Sequence, residues 1–331
     1  DEIYTQEKKM KAFARRVLYI TAVVAILLGC VKKETDDPPV SETKTGGVTV
    51  GYCINNLNDT FQTYILEAAK ETITEAGGQI EVNDATEDTI KQQDQVNSFI
   101  AKGVKGLIVV PVDTSSMDAI TNAARNAGIP LCYVNRNPFA GKEDSMPDGV
   151  YYVGSQEIVA GRLQGERVGE LLQGKGGVAI LVGILGNEGA LKRTEGNKEV
   201  LASKYPEITV LAEQTANWQR DQAVTVTENW ITTYGNKLNA ILANNDEMAL
   251  GAIKALEAGN RKDVLVLGVD ATLDGRNAVR EGLMAATVFQ DAKGQGGGAA
   301  KVITTKIKGG NPDKITWVPF QLVDKDSPLL K

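Results

Sequence analysis

From residue 48 onward, short apolar runs alternate with longer segments in which apolar residues recur every three or four positions. The short runs have the length of buried strands, and the longer spacing is that of helices packed on one face. The pattern predicts strands at 48–54, 79–83, 106–110 and 131–134, with helices at 61–76, 86–102 and 116–127 between them. After Ser155 it restarts with helix 158–173, strand 177–183, helix 189–205, strand 208–212 and helix 220–234. Strand 240–243, the helix that ends at Gly259, strand 264–269, helix 274–281 and strand 285–289 follow, then helix 294–308 and a final strand around 317–323. Strand–helix–strand order in one sheet requires parallel strands joined by right-handed crossovers. Two rounds of it predict an α/β protein with two similar doubly wound parallel-sheet lobes.

The stretch 240–259 shows the arrangement most clearly. An apolar run ends at Ala243, and Asn244, Asn245 and Asp246 break it with side chains able to cap a helix. Met248, Leu250, Ile253 and Leu256 then follow at helical spacing until Gly259 stops the helix. Polar groups therefore sit between the carboxyl end of a strand and a helix N-terminus, where open parallel sheets bind small ligands. The same placement recurs at the segment from Asn55 to Asp59, at Asp113, at Asn135 with Arg136, and at Asn187, Asn245, Asp270 and Gln290. Singly, each suits a turn or a cap. Together they predict a cleft of amides, carboxylates and a guanidinium, groups that accept from and donate to the hydroxyls of a neutral polyhydroxyl ligand. Phe61 and Trp218 stand in polar loops, where aromatic faces could cover the C–H surface of a sugar.

Before residue 48 the pattern is different. Lys11, Arg15 and Arg16 precede the apolar run 17–29, which ends Leu27-Leu28-Gly29-Cys30. A basic region followed by so short an apolar run reads as a secretory signal, 1–30, with an uncleaved membrane anchor as the alternative. The ending resembles the bacterial lipobox, which implies lipidation of Cys30. Residues 31–47 are rich in Lys, Glu, Thr, Asp and Pro and read as a flexible tether.

The chain has 331 residues, enough for two domains of ordinary size, and its net charge of −6 argues against nucleic-acid binding. It contains no histidine, which excludes a Ser-His-Asp triad, a Cys-His dyad and any His-ligated metal. No metal or cofactor is expected. Cys53 and Cys132 lie in predicted strands and read as buried thiols; in a 2-1-3-4 strand order, the third strand keeps them too far apart for a disulfide.

Three segments carry a resemblance. Asn244-Asn-Asp-Glu-Met-Ala-Leu-Gly-Ala252, Gly268-Val-Asp-Ala271 and Ala286-Thr-Val-Phe-Gln-Asp291 resemble the type I periplasmic sugar-binding proteins, whose members include ribose-, galactose- and inositol-binding proteins. The resemblance runs from about residue 48 to 323. It implies hinge crossings near Ser155, Gln290 and Phe320, an N-terminal lobe of 48–155 with 291–320, and a C-terminal lobe of 156–290 with 321–331. It also implies ligand contacts at Asp59, Phe61, Asn135, Arg136, Arg193, Trp218, Asn245, Asp270 and Gln290. Arg193, in Lys192-Arg-Thr-Glu-Gly196, matches the family's buried arginine. Asp59 is similar to the hexose binders and Gln290 to the pentose binders, so a monosaccharide and a cyclic polyol both remain open.

The expected protein is thus an exported, lipid-anchored, monomeric binding protein serving an ABC permease. A sugar sensor for chemotaxis or signalling is the alternative. A glycosidase using Asp59 and Asp270 is the enzymatic one; the spread of amides favours binding. A dinucleotide enzyme is disfavoured because the first strand–helix turn lacks Gly-x-Gly-x-x-Gly.

Overall fold

A computed structural model describes residues 47–330; the signal segment, Cys30 and residues 31–46 of the tether lie outside the described residues. The first lobe holds β1 (Thr49–Ile54), β2 (Gln79–Asp84), β3 (Gly106–Val109), β4 (Leu131–Val134) and β5 (Val150–Gly154), with β11 (Ile315–Trp317) added from the end of the chain. They form one parallel sheet in the order β11-β5-β4-β3-β1-β2. Helix α1 (Thr60–Glu75), α2 (Thr89–Lys102), α3 (Asp118–Asn126) and α9 (Ala292–Ile307) cover it. Alternate residues of each strand feed opposite faces. Tyr52, Ile54 and Ile108 pack with Ile65, Ala69 and Ile303 on one side; Cys53, Leu107 and Tyr133 pack with Phe99 and Ile120 on the other.

The second lobe repeats the plan. Strands β6 (Lys175–Val182), β7 (Glu207–Thr215), β8 (Ala240–Ala243) and β9 (Leu265–Leu267) form a parallel sheet in the order β7-β6-β8-β9. Parallel bridges at Leu267–Ala286 and Asp270–Phe289 continue it to β10 (Thr287–Phe289), which pairs antiparallel with β12 (Gln321–Val323). The helices are α4 (Glu157–Leu171), α5 (Glu188–Lys204), α6 (Arg220–Tyr234), α7 (Asp246–Ala258) and α8 (Leu273–Arg280).

The chain passes between the lobes three times: from β5 to α4, from β10 to α9, and from β11 to β12. Two features differ from the sequence pattern. Strand β5 is absent from the predicted elements, because a loop holding Pro138, Gly141, Pro147 and Gly149 isolates it from the preceding pattern and the next helix follows at once. The predicted final strand 317–323 is two strands in two lobes, broken at 318–320. Cys53 in β1 and Cys132 in β4 are free, buried thiols with β3 between their strands.

Candidate functional site

The capping chemistry of the sequence and the site are the same residues. Asp59 Oδ1 accepts from the Phe61 and Gln62 amides at the start of α1, at 3.0 and 3.2 Å. Asn187 caps α5 through Gly189 N, and Asn245 caps α7 through Met248 N. Each capping side chain lies at the carboxyl end of a strand, so the helix N-termini of both lobes point their polar groups at one another.

Between them lies a cleft with about 390 Å³ of empty space, part of it open to solvent. Ten of the eleven expected residues line it: Asp59, Phe61, Asn135, Arg136, Asn187, Arg193, Trp218, Asn245, Asp270 and Gln290. Asp113 does not. Strand β3 stops at Val109, and the following Pro111 and Val112 carbonyls turn toward Arg136. Asp113 is thereby carried past the cleft, where it caps a short 3-10 turn through Ser115 and Ser116. Gln62, Glu157 and Gly189 complete the lining.

Two guanidiniums are held by the protein before any ligand contact. Arg136 Nη1 donates to Pro111 O at 2.9 Å and Val112 O at 3.2 Å and lies 3.6 Å from Glu87 Oε2. Arg193 donates from Nε to Glu157 Oε2 at 2.6 Å, from Nη1 to Asn244 O at 2.6 Å, and from Nη2 to Gln290 Oε1 at 3.0 Å. It reaches Glu157 because α4 and α5 touch backbone to backbone: a Cβ on Gly161 would stand 2.0 Å from Arg193 O, and one on Gly196 2.3 Å from Ile158 O. The Arg193 guanidinium also lies 5.8 Å from the Trp218 ring centroid. Asn135, with φ of 68°, is tied by Gln62 Nε2 at 2.7 Å and to Gln295 Oε1 at 3.1 Å.

The acceptors are less occupied. Asp270 Oδ1 lies 3.7 Å from Arg193 Nη1, and its carboxyl is held well above the ordinary value by burial, against the pull of Arg193. Asp59 is raised by enclosure too, partly offset by Arg136. For Arg193, burial works against the charge, but Glu157 and Asp270 outweigh it and raise the pKa. Asp270 and Ala271 have φ of 114° and 52°, a left-handed backbone that costs about 1–3 kcal/mol per non-glycine residue.

Four buried side-chain atoms in this lining have no partner among the described residues: Gln62 Oε1, Asn187 Nδ2, Trp218 Nε1 and Gln290 Nε2. One is an acceptor and three are donors, and both lobes supply them. Leaving each unmet costs roughly 1–3 kcal/mol.

Two α/β lobes facing each other across a polar cleft are the arrangement of a solute-binding protein. The match to the periplasmic binding protein domain covers residues 50–311, and the chain belongs to that family, one of solute-binding proteins rather than enzymes. It is 39% identical over 281 residues to a putative rhizopine-binding protein of Rhizobium meliloti, covering 84% of this chain and 90% of that one. A xylitol-binding protein of Mycolicibacterium smegmatis is 37% identical over 294 residues, 88% of this chain and 80% of that one. Among solved structures, an ABC transporter solute-binding protein of Bacillus halodurans with bound myo-inositol superposes with a TM-score of 0.78 at 39% identity, covering 86% of this chain and 97% of that one.

Proposed function

We propose that this protein is an exported binding protein, anchored through a lipid on Cys30, that captures a cyclic polyol or monosaccharide as a monomer and delivers it to an ABC permease. The observation that carries the ligand class is the set of unmet groups. Gln62 Oε1, Asp59 and Asp270 need donors, while Asn187 Nδ2, Gln290 Nε2 and the free guanidinium hydrogens need acceptors. A hydroxyl is both, so a ring bearing a hydroxyl on every carbon answers all of them, and Phe61 and Trp218 suit its C–H faces. The solved structure at 39% identity with bound myo-inositol favours the cyclic polyol over a pentose.

Closure supports the transport reading. Among the described residues, no hydrogen bond or ion pair joins 47–154 directly to 157–289. A ligand that bridges the lobes would therefore supply the contacts that hold them together and bias the three crossings toward the closed form. Calorimetry against myo-inositol, xylitol, D-ribose and D-allose tests the reading. Micromolar or tighter binding of one polyol is expected; heat from none of the four would remove the proposed ligand class.

A further inference from the structure

Asp246 is a fully buried carboxylate that does not line the cavity, yet it touches the loop that does. Its Oδ2 accepts from Thr272 N at 2.8 Å and Thr272 Oγ1 at 3.1 Å, and its Oδ1 accepts from Thr287 Oγ1 at 2.6 Å. The Thr287 hydroxyl in turn accepts from Ala271 N at 3.3 Å. The carboxylate needs two glycines to fit: a Cβ on Gly268 or Gly275 would stand 2.3 or 2.0 Å from its oxygens. The loop so gripped is the left-handed pair Asp270-Ala271.

We propose that Asp246 is a positioning residue for the ligand: with Thr287 it clamps the strained loop so that the Asp270 carboxylate faces the cavity. Beyond the loop, the Gln290 backbone N–H donates to Asp270 O at 3.2 Å, but the side chain the clamp aims at the ligand is that of Asp270. The inference rests on the polyol reading above only for its affinity arm. A clamp acts on the backbone whether or not a ligand is present, and that gives a second, independent arm.

The affinity arm measures myo-inositol and D-ribose binding by calorimetry in Asp246→Asn, Thr287→Val and Thr287→Ser, each alone and combined with Asp270→Asn. Asp246→Asn and Thr287→Val are expected to weaken binding at least tenfold, Thr287→Ser to stay within about threefold, and neither loss to recur once Asp270 is Asn. Equal losses in both backgrounds would reduce Asp246 to a general structural role, and unchanged affinity in Thr287→Val would overturn the clamp. If Asp246→Asn does not fold, the Val and Ser pair at 287 decides. The second arm follows hydrogen exchange of the Ala271 and Thr272 amides without ligand; Thr287→Val should speed it at least tenfold, and unchanged exchange overturns the proposal. If the protein binds neither probe, the ligand reading fails while the exchange arm still judges the clamp.

Discussion

Arg193 Nε donates to Glu157 Oε2 across 2.6 Å, with both side chains buried, and this pair joins α4 to α5 in the cavity wall. The family resemblance implies that Arg193 is a ligand group; the structure makes it a hub that also holds Asn244 and Gln290. Removing one partner of a buried pair leaves the other uncompensated, which costs roughly 3–5 kcal/mol. Arg193→Ala should therefore lose both ligand affinity, by more than tenfold, and several kcal/mol of stability in urea. Adding Glu157→Gln should recover part of the stability and none of the affinity. Recovery of both would show that Arg193 makes no ligand contact.

Asp113 gives the opposite expectation. Its carboxylate caps a short turn at the surface, outside the cavity lining. Asp113→Ala should cost about 0.5–2 kcal/mol of stability, as lost caps do, and leave ligand affinity unchanged. A tenfold loss of affinity would place it in the site after all.

The contrast shows what could be read from the chain. Residues in the turn between a strand end and the next helix, such as Asn187, Asn245 and Asp270, are legible because strand–helix alternation alone puts them at one edge of a sheet. Asp113 has the same local signature and stands four positions past the end of β3, nearer than Asn187 to the end of β6, so only the fold of Pro111 and Val112 over Arg136 shows where it goes. Gln62 and Glu157 were missed for a related reason. They stand in the first turns of α1 and α4, where Gln and Glu read as solvated helix residues; their signal was position, directly after Phe61 and after the crossing at Ser155. The pattern offers Asn244, Asn245 and Asp246 equally as caps, whereas Asn245 makes the cap and Asp246 turns inward.

Titration should tilt the stability with pH. Burial pushes the Asp246 carboxyl up to about 7 from 3.8, against the pull of its Thr287 and Thr272 hydrogen bonds. Burial and then the neighbouring Glu157 push Glu188 up to about 8 from 4.5. Between about pH 4 and 8 the folded chain keeps protons that the unfolded chain has lost, so these groups make stability fall as pH rises through that window. The urea midpoint should be lower at pH 8 than at pH 5, and Asp246→Asn should flatten the slope. A midpoint that climbs over the same interval would contradict both shifts.

The thiols should be silent until the fold opens. Cys53 and Cys132 are buried, and burial pushes the Cys53 thiol up to about 12 and the Cys132 thiol higher than its ordinary value. Neither supplies thiolate at neutral pH. Ellman's reagent should not react with either in the folded protein, and both should react after guanidinium unfolding without reductant. Rapid reaction in the native state would mean that the first lobe opens far more readily than its packing implies.

Trp218 provides the test of closure. It is half-buried at the cavity wall, its backbone is left-handed at φ of 66°, and its carbonyl accepts from Asn245 Nδ2 at 3.3 Å. Its indole nitrogen has no partner among the described residues, so a bridging ligand changes both its hydrogen bonding and its exposure. Trp230 lies in the core of the second lobe and Trp317 packs edge-on against Tyr152 at 5.6 Å, so neither sits at the cavity. A saturating polyol should change tryptophan emission and reduce the radius of gyration in solution scattering, and Trp218→Phe should abolish the emission change while leaving the compaction. The two readouts separate the claims. Emission that responds while the scattering curve stays fixed would mean that ligand binds to lobes already closed, and the loaded state would then carry no change of shape for a permease to recognise.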